Sequence, residues 1–162
     1  MPLTYYQTPV GIARITAEDG FITSVSIRDE EGLVVEATKD KLLNKAIKQL
    51  GEYFAGTRQS FDLPLNQNGS DFQQEVWDEL LKIPYGKTIS YLQQAKSMNN
   101  PLGIRAIASA NGRNSLWVIV PCHRVIGSDG SLTGYAGGIW RKQWLLEHEA
   151  KVLGVGQTKL AF

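Results

Sequence analysis

The single cysteine of this 162-residue chain lies in 117-WVIVPCHRVIG-127, directly before one of its two histidines. The thiolate, not the thiol, attacks electrophiles. Near neutral pH a free cysteine is only a few per cent thiolate, so a nucleophilic Cys122 needs a base, a cation or oriented dipoles beside it. His123 is adjacent, but in an extended segment successive side chains point to opposite faces, and a bridging water would then connect the two. A carboxylate that orients the imidazole would complete a relay. Glu147 and Glu149 both fit by type. The competing reading is a buried structural cysteine, with His123 satisfied by a backbone carbonyl. For an isolated Cys-His pair that reading is the commoner one.

One cysteine excludes an intramolecular disulfide and agrees with a reducing, cytoplasmic setting. With His123 and His148 as the only imidazoles, neither a Cys-rich zinc site nor a closed zinc cage is expected, so no metal is assigned.

The elements that must position the thiol fall into two parts. Segments 11-GIARITA-17 and 21-FITSVSIR-28, split by Glu18-Asp19-Gly20, predict a β-hairpin. From Lys39 to Phe54 the residues Leu42, Leu43, Ala46, Ile47, Leu50, Tyr53 and Phe54 recur at helical spacing, with Gly56 as a stop. The run 59-QSFDL-63 predicts a short strand that rejoins the sheet. The polar break 64-PLNQNG-69 then reads as an interdomain linker, taken as 65–69. It separates an N-terminal α/β domain, 1–64, from a mostly helical C-terminal domain, 70–162.

In the second part Ser70 and Gln73 form a capping box at the head of 71-DFQQEVWDELLKI-83, whose Phe72, Val76, Leu80 and Ile83 make one apolar stripe. Two short helical patterns, Ser90 to Met98 and Gly103 to Gly112, flank Asn99-Asn100-Pro101 and predict a helix-turn-helix. The stretch 124–138, with Ser128-Asp129-Gly130 inside it, predicts a hairpin and a Gly-rich bend. A last helix runs from about Ile139 to Ala150.

Net charge is +1, but between 80 and 142 eight Lys/Arg stand against one acid, Asp129. A window that basic suits a phosphate backbone, although a solvated basic face would look the same. No apolar run approaches the roughly 18 residues that cross a bilayer, so no membrane association is expected. The N-terminal stretch shows no basic region followed by an apolar one, so no secretory signal is expected.

The run 119-IVPCHRVIGSDGSLTGYAGG-138, preceded by 86-GKTISY-91 and followed by Lys142 and 144-WLLEHE-149, resembles the O6-alkylguanine-DNA alkyltransferases of the stand-alone bacterial type. The resemblance implies a small sheet-plus-helix domain of ribonuclease H-like fold, followed by a mostly helical winged helix-turn-helix domain. It implies a monomer without cofactor that binds double-stranded DNA bearing alkylated guanine. The alkyl group of O6-alkylguanine, or of O4-alkylthymine, would pass irreversibly to the protein, once per molecule.

On that resemblance Cys122 falls on the nucleophile, His123 on its activator through a bound water, and Glu149 on the carboxylate that orients the histidine. Tyr91 falls on the proton donor to the expelled guanine. Asn114 falls on the asparagine that ties the recognition helix to the active segment. Arg105 falls on the residue that fills the gap left by a flipped base. Ala106 and Ser109, with Ala108 and Ala110, would let that helix press into the minor groove, with Tyr91 and Arg113 also at the DNA. Pro121, Val125, Tyr135, Ala136 and Gly137 fall on the pocket wall. Ala136 departs from members with serine there, which leaves the backbone N–H as the donor to O6.

Three alternatives remain at this level. A non-catalytic lesion-recognition protein of the same fold carries another residue, usually tryptophan, at the position of Cys122. A cysteine hydrolase would leave the basic window and Arg105 unexplained. A sequence-reading transcription factor needs polar side chains for base edges, and the Ala-rich helix after Arg105 offers few.

Overall fold

A computed structural model of the protein describes residues 2–29 and 37–154. Met1, residues 30–36 and residues 155–162, which belong to the expected N- and C-terminal domains, lie outside the described residues. Contacts divide the chain into two compact units. One holds the described residues up to Asn68 together with Ser115–Ile119. The other holds Gly69–Asn114 and the described residues from Val120 onward.

The first unit is a three-stranded antiparallel sheet with one helix. Strand β1 (Leu3–Thr8) pairs with β2 (Gly11–Glu18), and β2 with β3 (Phe21–Arg28), so β2 is central. β1 escaped the sequence reading because 3-LTYYQT-8 is short and the residues it buries, Thr4 and Thr8, are polar. Helix α1 (Lys41–Ala55) is capped by Asp40, whose carboxylate accepts from Leu43 N. Its Leu43, Ala46, Leu50 and Tyr53, spaced three or four apart, are buried with Ile15, Ile22 and Val25 of the sheet.

The strand expected at 59–63 does not form. Gln49 Nε2 donates to Asp62 O at 3.0 Å and Gln49 Oε1 accepts from Asp62 N at 2.9 Å, so a side chain takes the bonds that a ladder would have made. Pairing begins later, at Leu65, which bridges to Ile22. Within the expected linker Gln67 is buried and its Oε1 accepts from Ser115 N at 2.9 Å. The chain returns to this unit at 115–119: Leu116 bridges to Val25, and Trp117 N donates to Val25 O. At Val118, φ is 72°, in the left-handed region that a β-branched residue rarely enters. Ile119 N donates to Trp117 O across it at 2.8 Å, closing a three-residue turn. The apolar lead-in to the thiol is therefore bent, not a strand.

The second unit is mostly helical. Its elements are α2 (Asp71–Leu80), β4 (Ile89–Ser90), α3 (Tyr91–Ser97), α4 (Ile104–Gly112), a 3-10 turn at Cys122–Arg124, β5 (Val125–Ile126) and α5 (Ile139–Val152). Full capping boxes open α2 (Ser70 with Gln73) and α3 (Ser90 with Gln93). Trp77 of α2 donates its Nε1–H to Ala110 O at 2.9 Å. α3 and α4 are joined by a buried amide pair, Gln94 Nε2 to Asn111 Oδ1 at 3.0 Å and Asn111 Nδ2 to Gln94 Oε1 at 2.8 Å.

The hairpin expected over 124–138 also fails to form. Val125–Ile126 pairs instead with Ile89–Ser90 in parallel. Asp129 Oδ1 accepts from Ser131 N and Oγ, which makes a tight turn, and no returning ladder follows it.

Candidate active site

The 3-10 turn at 122–124 determines where the three polar side chains of 122-CHR-124 go. With successive side chains fanned around a tight turn, Cys122 keeps intermediate exposure while His123 and Arg124 turn inward. The expectation of an extended segment is corrected accordingly.

His123 is fully buried, and its Nε2 lies 2.7 Å from Glu149 Oε2. Glu149, on the third turn of α5, is itself fully buried and collects three further donors. Arg124 Nε reaches Oε1 at 2.9 Å, Arg124 Nη2 reaches Oε2 at 3.1 Å, and Gly86 N reaches Oε1 at 3.0 Å. Glu147 points elsewhere and accepts from Gln143 Nε2. Gly86 can serve because its φ of 76° suits glycine and because a Cβ there would run into Leu153. Arg124 is anchored further by Ile83 O at 2.8 Å and by the Tyr85 ring, 5.5 Å from its guanidinium carbon.

The electrostatics follow from this packing. Burial alone would raise the Glu149 carboxyl, but His123 and Arg124 outweigh it and hold the group well below the usual carboxylate range. Burial lowers His123; Glu149 pulls the other way without reversing the shift. A neutral imidazole facing a carboxylate donates from Nε2, so Nδ1 carries the lone pair. No group among the described residues hydrogen-bonds Nδ1, although it is buried. Nδ1 is therefore a base in waiting. Burial raises the Cys122 thiol, while Asn114 and Lys142 favour its thiolate. At rest Cys122 is a thiol that needs help to ionise.

The other expected residues fall as follows. Asn114 is buried and its Nδ2 donates to Val120 O at 2.8 Å, closing the chain across 115–119 just ahead of the thiol. Tyr91 OH donates to Thr133 O at 2.9 Å, and burial raises its pKa. Tyr135 has a buried hydroxyl whose pKa burial and Cys122 raise strongly. Pro121 and Gly137 are buried, and Ala136 is exposed. Val125, expected in the pocket wall, has no exposed surface and pairs with Ile89, so it backs the site and offers no face to a ligand. On α4, Arg105, Ala106, Ser109 and Arg113 are all exposed on one side of the helix, whereas Ala110 faces inward under Trp77.

Two participants escaped the sequence reading. Arg124 and Lys142 counted as parts of the basic window and of the family pattern, with no role of their own, yet they are buried, as is Arg141. Of the eight cations in that window, Lys82, Lys87, Lys96, Arg105 and Arg113 alone face solvent. Charge type carries no burial signal, and only the immediate neighbourhood of Cys122 and His123 hinted at Arg124.

Residues 71–151 match the family model described as 6-O-methylguanine DNA methyltransferase, DNA binding domain, and residues 1–67 match its ribonuclease-like domain. The chain is 44% identical over 145 residues to the constitutive methylated-DNA--protein-cysteine methyltransferase of Bacillus subtilis, covering 83% of this chain and 88% of that one. It is 41% identical over 147 residues to the methylated-DNA--protein-cysteine methyltransferase of Mycolicibacterium paratuberculosis, covering 89% of each. Among solved structures it is similar to Mycobacterium tuberculosis OGT in complex with DNA, with 40% identity, a TM-score of 0.83 and 93% of each chain covered. Sequence match and fold agree over nearly the whole length, and the chain belongs to the 6-O-methylguanine DNA methyltransferase family.

Proposed function

We propose that this protein repairs DNA by direct reversal, taking the alkyl group from O6 of guanine, or O4 of thymine, onto Cys122 Sγ. The observation that carries the reading is the buried His123–Glu149 pair, which leaves an unprotonated Nδ1 beside the sole cysteine. The thiol proton passes through a water to Nδ1, and Glu149 stabilises the imidazolium that results. The thiolate attacks the alkyl carbon. The new S–C bond forms as C–O6 breaks, and the bonding pair leaves on the purine. Tyr91 donates its proton to the purine, so the base departs neutral. A thioether has no leaving path, so each molecule acts once.

The exposed face of α4 supports the DNA side of the reading. Small Ala106 and Ser109 let backbone approach a minor groove, and Arg105 supplies a planar cation to occupy the space of a flipped base. We read α3 and α4 as the helix-turn-helix and the turn after β5 as its wing, with Asn114 tying the end of α4 to the thiol segment. Tyr135, Ala136 and Gly137 form the wall around the extrahelical base, with a backbone N–H in place of a serine hydroxyl at 136. The protein acts as a monomer without cofactor.

The test is intact mass after mixing with duplex DNA carrying one O6-methylguanine. The expected result is a gain of one methyl per protein, saturating there, and no gain for Cys122→Ala. Repeated turnover, or no transfer by the wild type, overturns the reading.

A further inference from the structure

The turn between α3 and α4 is fixed in detail, and it carries a side chain that nothing in the fold calls for. Asn99 takes a φ of 55°, its N donates to Lys96 O, and Asn100 N donates to Ala95 O, so α3 ends abruptly. Gly103 N then donates to Asn100 O at 3.0 Å and closes a four-residue turn. Asn100 at its first position, Pro101 at its second and Gly103 at its last suit that geometry, and a Cβ at 103 would run into the Asn100 side chain. Gly103 O accepts from Ile107 N and starts α4. Leu102 is left at the corner, 98% exposed. Among the described residues the next most exposed large apolar side chain, Leu81, is 51% exposed, so the others lean on something and Leu102 leans on nothing. A half-covered surface leucine is ordinary, but turn corners favour polar residues, and a bare leucine on a fixed corner has no local reason to be there.

The helices that flank this corner present Lys96, Arg105 and Arg113 to solvent, and no Asp or Glu occurs between Leu80 and Ser128. An apolar tip among cations fits a stack of bases behind its phosphates. We infer that Leu102 is an apolar wedge for duplex DNA, entering the base stack next to the place that Arg105 fills and parting the step beside the flipped base. The inference rests on the DNA-repair reading above and adds to it a positioning residue away from Cys122. Leu102 precedes Arg105 by three residues, a spacing of roughly 5–6 Å along a helix surface. That is between one and two base steps of about 3.4 Å. Minor-groove proteins insert leucine and similar side chains between base steps and kink the duplex as the bases part. A guanidinium must shed water to enter a stack, whereas a leucine gains by the same move. Leu102 opens the step, and Arg105 then occupies the space of the base that leaves.

The test reads unstacking apart from chemistry. Protein carrying Cys122→Ala, which leaves the lesion in place, is mixed with duplexes bearing O6-methylguanine and 2-aminopurine at the step on either side of it. The fluorescence of 2-aminopurine rises when it unstacks. That rise should be largely lost when Leu102→Ser is added, and Leu102→Met should restore it. With Cys122 in place, single-turnover methyl transfer from duplex should slow by about tenfold in Leu102→Ser, as expected for one leucine that stays in water. On the same lesion in a single strand, where no paired stack has to open, the gap between Ser variant and wild type should close. The dependence of duplex affinity on salt should keep its slope, since no cation is removed. At so exposed a position each variant should melt with the wild type. An unchanged fluorescence rise in the Ser variant overturns the inference whatever the transfer rate, and so does equal slowing on single strand and duplex. If the wild type transfers no methyl while the fluorescence rise still depends on Leu102, the repair reading falls and the wedge stands.

Discussion

Replacing Glu149 by Gln tests the relay at its most constrained point. The carboxylate receives two donors on each oxygen: Arg124 Nε and Gly86 N on Oε1, His123 Nε2 and Arg124 Nη2 on Oε2. An amide of the same shape keeps one oxygen and turns the other into a donor, so the two donors on that side lose their acceptor in either orientation unless one of them can turn acceptor. Arg124 Nε and Gly86 N can only donate, whereas His123 can exchange tautomers. The amide nitrogen will therefore face His123, Nε2 will become the acceptor, and the proton will move to Nδ1. Two losses follow. Arg124, almost wholly buried, loses its counter-charge, and breaking a buried pair in this way costs about 3–5 kcal/mol. Nδ1 can no longer accept the thiol proton, which removes general-base help of roughly 10²–10⁴. Urea unfolding would give the first number. Single-turnover methyl transfer, with protein in excess over O6-methylguanine duplex, would give the second. A variant that stays folded and transfers within about threefold of the wild-type rate would refute the tautomer argument.

Acid should destabilise the protein in two stages. The folded pKa of His123 lies below its ordinary 6.5, so its contribution is present above that pH and is lost as pH falls through it. Glu149, also depressed, adds its loss below its ordinary 4.5. Stability measured against pH should fall from about 6.5 downward, and His123→Gln should flatten the first stage. Gln94→Ala leaves Asn111 with buried unpaired groups and should lower stability by about 1–3 kcal/mol. In a double-mutant cycle with Asn111→Ala, additive losses would show that the amide pair is not coupled. Gly86→Ala forces φ of 76° on a residue with a Cβ and displaces Leu153, so it should lower the melting temperature and slow iodoacetamide reaction at Cys122. Equal melting temperatures would contradict the close packing at that turn. Arg105→Ala, on an exposed position, should leave stability within about 0.5 kcal/mol while slowing repair in duplex. Unimpaired repair would remove Arg105 from the base-flipping step.

What the sequence made legible were elements whose signals are local. The capping box at Ser70, the helical pattern opening at Ser90 and the stop at Gly56 announce themselves within a few residues of chain, and α1 to α4 begin and end close to where those residues put them. The two strands that were expected and did not form, over 59–63 and within 124–138, had strand-like composition but no free ladder to join. Their carbonyls and amides went to side chains far away in sequence: Gln49 for Asp62, and Tyr91 and Lys142 for Thr133. The site divides in the same way. A Cys followed by a His is visible by inspection, and the family pattern favoured Glu149 over Glu147. The Arg124 clamp on Glu149 depends on a tight turn that composition does not encode, because PCHRV is as compatible with extended chain as with the 3-10 turn.

The buried amide pair between α3 and α4 has a consequence for how the protein can be handled. Gln94 and Asn111 are neutral, and Trp77 meets Ala110 through a neutral indole, so the frame that presents α4 carries no ionic joint for salt to screen. The five cations left at the surface of that window are all solvent-facing, and contacts they make with phosphates weaken with rising ionic strength, by about 0.9 in log–log slope per phosphate. Raising salt should therefore detach the protein from DNA well before it loosens the helices. Grip and frame are built from different forces, so one can be released while the other stays intact.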